Sequence, residues 1–228
     1  MTPVNLASLA LSSVLLLAAP ARPAAGPVTG RIIVLDKGNK VASDVGQAVV
    51  WLERATGATP TPRPVHAVVT AENKTFTPHV AVVPVGSSVT FPNRDGFDHN
   101  VFSLSEAGPF DLGLYERGDG KSVTFAKAGI IRVYCNIHST MSAFVVVVGS
   151  PWSTQPQGDG SYSIADVPPG QYVLHAWHER APIEVAEPVT VTAAGATLPD
   201  LTLDARGFRP ESHTNKFGRP YARVGRRY

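Results

Sequence analysis

The sequence predicts an all-β protein of the sandwich class. Three observations carry that expectation. Gly and Pro are abundant, at 20 residues each. Short runs rich in Val and Thr lie between them. No window sustains the apolar period of an amphipathic helix. A mature chain of roughly 200 residues has room for one large or two small domains. The formal net charge of +2 gives the body of the protein no electrostatic reason to bind nucleic acid.

Residues 1–25 read as a secretory signal peptide. The apolar stretch from Val4 to Ala19 is too short to span a membrane, and small residues follow it. Ala19-Pro20-Ala21 and Pro23-Ala24-Ala25 both offer cleavage contexts. The leading segment has no Lys or Arg, so an uncleaved anchor is the competing reading. No later segment approaches the eighteen or so apolar residues of a transmembrane helix. The expected location is periplasmic or secreted. In that oxidising setting Cys135, the only cysteine, has no intramolecular disulfide partner and would be liable to oxidation unless ligated.

Residues 26–56 supply two strand-like runs, Val28 to Val34 and Gln47 to Glu53. Residues 57–65 are a Pro-rich linker of polyproline type. Residues 66–150 hold the chemistry. The strand-like run Ser88-Val89-Thr90-Phe91 is followed by Asp98-His99-Asn100. The run Ile130 to Tyr134 is followed by Cys135-Asn136-Ile137-His138-Ser139-Thr140-Met141. One thiolate, two imidazoles and one thioether are the donor set of a blue-copper centre, a His₂Cys plane with a weak axial Met. Soft sulfur suits the reduced ion and imidazole suits the oxidised one, so such a site can pass single electrons. Three donors lie on one short loop, and His99 is placed to bring the fourth from elsewhere. The competing readings are that Cys135 is a small buried hydrophobe and Met141 core filler, that the site is degenerate, or that the same Cys and His residues hold zinc. Met141 is the only methionine besides the initiator.

This segment resembles the cupredoxin family, whose members carry one His early and a Cys-His-Met loop late. The Cys-x-x-His-x-x-Met spacing is similar to the short-loop members such as amicyanin. Phe76-Thr77-Pro78, Val85 to Phe91, Asn93-Arg94-Asp95, His99 to Ser103 and Phe110 to Gly113 follow in family order. The resemblance implies a Greek-key β-sandwich holding one type 1 copper ion. It implies His99, Cys135, His138 and Met141 as ligands, redox partner proteins, and an Asn100 that braces the two ligand loops and donates towards the Cys135 sulfur. His99 would be the more buried imidazole, His138 the electron port, and Tyr134 part of a second path.

Residues 151–205 read as further strands. Asp159-Gly160 is a hairpin turn signal, and Pro168-Pro169-Gly170 turns the chain into another alternating run. This part resembles the carboxypeptidase regulatory-like domain, a smaller transthyretin-like β-sandwich. Its opening strands are missing before residue 158 and are found instead at residues 26–56. The expectation is therefore one sandwich made from two separated segments, with the copper-type unit inserted between them at a loop. A short extra hairpin followed by two domains in series is the alternative. In the insertion arrangement Val49 and Trp51 would face Tyr162, Ile164 and Val173. His175 and His178 stand three apart on a strand, point to opposite faces and form no second metal site.

Residues 206–228 are basic, with Arg206, Arg209, Lys216, Arg219, Arg223, Arg226 and Arg227 against Glu211, and with Phe208, Phe217, Tyr221 and Tyr228 interleaved. Such a tail could dock on a membrane surface or an acidic partner. Against that stands a solvated tail, of which Asn215 to Tyr221 is specific enough to pack on the sandwich. There is no Ser-His-Asp order, no phosphate loop and no second histidine cluster, so the reading is an electron carrier and not an enzyme. Copper trafficking through the same ligands, and an adaptor sandwich with an incidental copper site, are the alternatives.

Overall fold

The computed structural model describes residues 25–181, 184–210 and 213–221. The segment expected to be a signal peptide therefore lies outside the described residues, apart from Ala25. Among the described residues no helix is long and apolar enough to cross a membrane. The described residues are all-β, with four sheets and two single-turn 3₁₀ segments.

Two sheets are built from the ends of the chain and form what we call the terminal sandwich. Gly26–Asp36 is the spine of one sheet. It pairs antiparallel with Ser161–Val167 and parallel with Ala196–Thr197 and Leu201–Asp204. In the other sheet Val49–Arg54 lies between Ser153–Thr154 and Gly170–Trp177, and Val185–Val191 closes the edge. Val28, Ile32, Val34, Val50, Leu52, Tyr162, Ile164, Tyr172, Leu174 and Leu203 fill the space between the two sheets. The Asp159-Gly160 turn that leads into this core needs its glycine. Gly160 has φ 86°, and a Cβ there would come within 2.2 Å of the Ile32 carbonyl oxygen.

The central sandwich uses residues 66–148. One sheet runs Phe110–Tyr115, His99–Ser103, Gly129–Cys135, Ser142–Val148, Val80–Pro84. The other runs Gly118–Thr124, Ser88–Asn93, Thr70–Glu72, Thr75–Thr77, with His66–Val68 also paired to Ser88–Asn93. Phe76, Val89, Phe91, Val101, Ile131, Val133, Ala143, Val145 and Val147 form its core.

The two sandwiches pack face to face. Val49, Trp51 and Trp177 from the terminal unit meet Val80, Val146 and Val148 from the central one. This corrects the expectation for Val49 and Trp51. Strand alternation sends Val50 and Leu52 towards Tyr162 and Ile164, and sends Val49 and Trp51 the other way. Both faces of this strand are buried, so it shows no polar side. The same holds for Ser142–Val148, where Ala143, Val145 and Val147 face the central core while Phe144, Val146 and Val148 face the terminal unit. The result is a four-layer stack. A polar tie crosses it, His79 Nε2 to Glu179 Oε2 at 2.8 Å.

Candidate metal centre

Antiparallel pairing puts the beginning of one strand beside the end of its neighbour. His99 opens its strand and Cys135 closes the adjacent one, with Cys135 opposite Val101 in the register. Both side chains therefore emerge at one end of the central sandwich. The chain then turns through Asn136–Thr140 and returns as Ser142–Val148. The turn is tied inside itself. The Met141 amide donates to the His138 carbonyl at 3.1 Å, and the Cys135 amide donates to the Met141 carbonyl at 3.2 Å.

His99, Cys135 and His138 converge. Cys135 Sγ is 3.5 Å from His99 Nδ1 and 3.6 Å from His138 Nδ1. A metal bound to sulfur at about 2.3 Å and to imidazole at about 2.05 Å holds those two donors about 3.6 Å apart at a tetrahedral angle and about 3.8 Å apart in a trigonal plane. The donors thus already stand at ligand spacing. Met141 is buried in the same cluster as Cys135.

Burial divides the two imidazoles. His99 is fully enclosed, while His138 is partly exposed. Phe97 meets both edge-on, at ring-centroid distances of 5.3 and 5.2 Å. His99 Nε2 donates to Asp95 Oδ2 at 2.9 Å, which leaves Nδ1 as the nitrogen aimed at the sulfur. Asp95 is itself fixed, for its Oδ1 accepts from the Asn73 amide at 2.6 Å and its Oδ2 from the Lys74 amide at 3.0 Å.

The titration directions follow from these contacts. Burial pushes the Cys135 thiol up, but His99 and the amides of Ile137, Asn100 and His138 outweigh it and hold the pKa below its usual value. For His99 burial acts downward, while Cys135 and Asp95 favour the cation and bring the net shift upward. His138 is lowered, first by burial and then by the charges of His99 and Lys74. The pocket favours an anionic sulfur facing two nitrogens.

Asn100 acts as the resemblance implies, but through its backbone, whose amide helps hold the Cys135 thiol pKa down. Its side-chain amide donates to Asp111 Oδ1 at 2.6 Å, a carboxylate being a better acceptor than sulfur. Its backbone does the bracing instead, since its carbonyl accepts from the Asn136 amide at 2.9 Å. Sequence reasoning gave Asp95 no role. Its only signal was a carboxylate four residues before a candidate ligand, on a loop whose shape the sequence does not reveal. His175 and His178 stay apart from the cluster. His175 stacks on Trp51 and bonds Glu184, while His178 Nε2 approaches the Asp44 carbonyl.

No family model matches the chain. No curated protein matches it either. Among solved structures it is similar to a copper-containing nitrite reductase from Thermus scotoductus, at 25% identity over 42% of this chain and 25% of that one, with a TM-score of 0.35. This chain thus spans a quarter of that enzyme's length. It is similar to a reduced Cu(I) form of an amicyanin mutant, at 26% identity over 38% of this chain and 85% of that one, TM-score 0.35. It is also similar to a purple cupredoxin from Nitrosopumilus maritimus, at 22% identity over 52% of this chain and 99% of that one, TM-score 0.31.

Proposed function

We propose that the protein is an exported type 1 copper protein that transfers single electrons. His99, Cys135 and His138 would hold the ion in a plane, and Met141 would be its weak axial ligand. The observation that carries this reading is the convergence of Cys135 Sγ with the two Nδ1 atoms at 3.5 and 3.6 Å. A thiolate with two imidazoles, together with the thioether of the buried Met141, would be a donor set that suits copper in both oxidation states. When bound, the ion would supply reversible one-electron exchange. Asp95 keeps the proton on His99 Nε2, and the enclosed His99, Cys135 and Met141 keep water from the donors. Ligands buried to this degree favour retention of the ion over delivery. His138 is the partly exposed donor, and Phe97 and Ile137 beside it are 41% and 45% exposed. That apolar rim is where a redox partner protein would meet the site.

Adding Cu(II) to the purified protein should give one bound ion and an intense visible thiolate-to-metal band. Cys135→Ser should remove the band. A colourless complex in the unsubstituted protein would refute the type 1 assignment. Fast electron self-exchange would separate electron transfer from copper delivery.

The domain reading rests on strand pairing. We read residues 66–150 as inserted into a transthyretin-like sandwich, because Gly26–Asp36 and Val49–Arg54 pair with strands between Ser153 and Asp204. Deleting residues 26–56 should unfold the terminal sandwich, while residues 66–150 expressed alone should still fold and bind copper.

A further inference from the structure

The described part of the C-terminal tail lies against the candidate metal loop. Asn215 organises it locally. Its side-chain oxygen accepts from the amides of Phe217 and Arg219 at 3.0 and 3.1 Å, and its backbone amide donates to the Arg219 carbonyl at 2.8 Å. Gly218 closes this turn with φ 70°, in the left-handed region. The turn then docks through side chains on both flanks. The His213 ring stacks on Tyr134, with centroids 4.1 Å apart and planes 17° from parallel. The Lys216 amide donates to Asn136 Oδ1 at 3.0 Å, and its ammonium meets Asp111 Oδ2 at 2.7 Å. The Tyr221 hydroxyl donates to the Cys135 carbonyl at 2.7 Å.

These anchors fall on Tyr134, Cys135 and Asn136 in succession, and on the Asp111 that also binds Asn100. The Cys135–Asn136 peptide unit is held at both ends. Its N–H donates to the Asn100 carbonyl at 2.9 Å, and its C=O accepts from Tyr221. The plane of that peptide sets the direction in which the chain leaves Cys135, and so where His138 arrives three residues later. A turn fixed only on its Asn100 side could swing about that bond.

We infer that residues His213–Tyr221 form a strap that locks the Cys135–Asn136 peptide and holds the ligand loop ready for its metal, with Tyr221 as the positioning residue. The metal half of this inference rests on the copper reading above. Coupling between strap and metal is reciprocal. If the docked strap favours the metal-ready loop, bound metal favours the docked strap by the same factor.

The test uses the full chain, with Tyr221→Phe removing one hydroxyl and Lys216→Ala breaking a separate anchor. In the metal-free protein, hydrogen exchange at the amides of Asn136 to Ser139 should quicken roughly fivefold in Tyr221→Phe, the worth of one net hydrogen bond. Lys216→Ala should act in the same direction. Cu(II) should slow tryptic cleavage after Lys216 at least fivefold in the unsubstituted protein, and by much less in Tyr221→Phe. The visible band should shift in Tyr221→Phe, a change that loose tail packing alone would not produce. Unchanged exchange in both variants would overturn the strap. Faster exchange together with Cu(II)-independent cleavage, in protein shown to hold Cu(II), would overturn its link to the metal. Failure to bind Cu(II) at all would refute the copper reading and the metal half with it, and the exchange result would still decide whether the strap holds the loop.

Discussion

Replacing Asp95 by Asn changes one oxygen to an NH₂ group, and the geometry leaves that group no good position. Asp95 receives three donors, the Asn73 amide on Oδ1 and both the Lys74 amide and His99 Nε2 on Oδ2. An asparagine with its oxygen at the Oδ2 position turns N–H against the Asn73 amide, which sits only 2.6 Å away in the native pair. The opposite flip turns N–H against His99 Nε2 and the Lys74 amide. The imidazole could relieve that clash only by moving its proton to Nδ1, the nitrogen 3.5 Å from the Cys135 sulfur. A protonated Nδ1 cannot ligate. Either outcome leaves a buried polar group unsatisfied, at a cost of about 1–3 kcal/mol. Outer-shell partners of this kind typically contribute 10- to 100-fold in metal affinity, which is about 1.4–2.8 kcal/mol. The first figure bears on the metal-free fold and the second on copper affinity. Isothermal or competitive titration with Cu(II) should therefore show Asp95→Asn binding about 10- to 100-fold more weakly, with the melting temperature of the metal-free protein also lowered. Affinity within twofold of the unsubstituted protein would show that Asp95 does not select the His99 tautomer.

Other perturbations probe different parts of the molecule. Met141→Gln should retain the copper and shift the reduction potential, since an axial ligand tunes more than it holds, and loss of all copper would make Met141 a principal ligand. Trp177→Ala should cost roughly 3–5 kcal/mol, because the ring is 7% exposed and packs 5.3 Å from Phe144 across the interface. Urea unfolding should then split into two transitions, and a change below about 1 kcal/mol would show that the interface carries little stability. His79 is raised above its usual 6.5, chiefly by its bond to Glu179. Its contribution should be fully present below about pH 6.5 and be lost as pH rises through the elevated folded value. The melting-temperature difference between the unsubstituted protein and His79→Gln should thus be larger at pH 6 than at pH 9, and a pH-independent difference would refute the ion pair.

The sequence made some features legible and hid others for physical reasons. The meeting of Cys135 with His138 could be read because both donors stand on one short loop. His99 could be read from its place in family order after the strand-like run Ser88 to Phe91, and it joins that cluster. Tyr162 and Ile164 alternated as a strand with one wet face should. Val49-Val50-Trp51-Leu52 and Phe144 to Val148 carry no alternation, because both faces are buried. In such a run the period-2 signal vanishes, and which residue faces which core cannot be read. That is why Val49 and Trp51 were expected on the wrong side. Asp95 and Tyr221 act through contacts set by loop shape, which has no periodic signature.

The spine of the terminal sandwich has a consequence for how the chain assembles. Gly26–Asp36 pairs with Ser161–Val167, Ala196–Thr197, Leu201–Asp204 and the short Lys40–Val41. At roughly 5–20 residues per second, synthesis leaves its long-range partners absent for several seconds after the spine is made. This high contact order would make closure slow, because the ends of a long loop must meet before any pairing rewards them. On the insertion reading the unit between them would fold first, and once folded it would draw its two ends together and shorten the loop still to be closed. Destabilising the central core, for example at Phe76 or Ile131, should therefore slow formation of a sandwich those residues never touch.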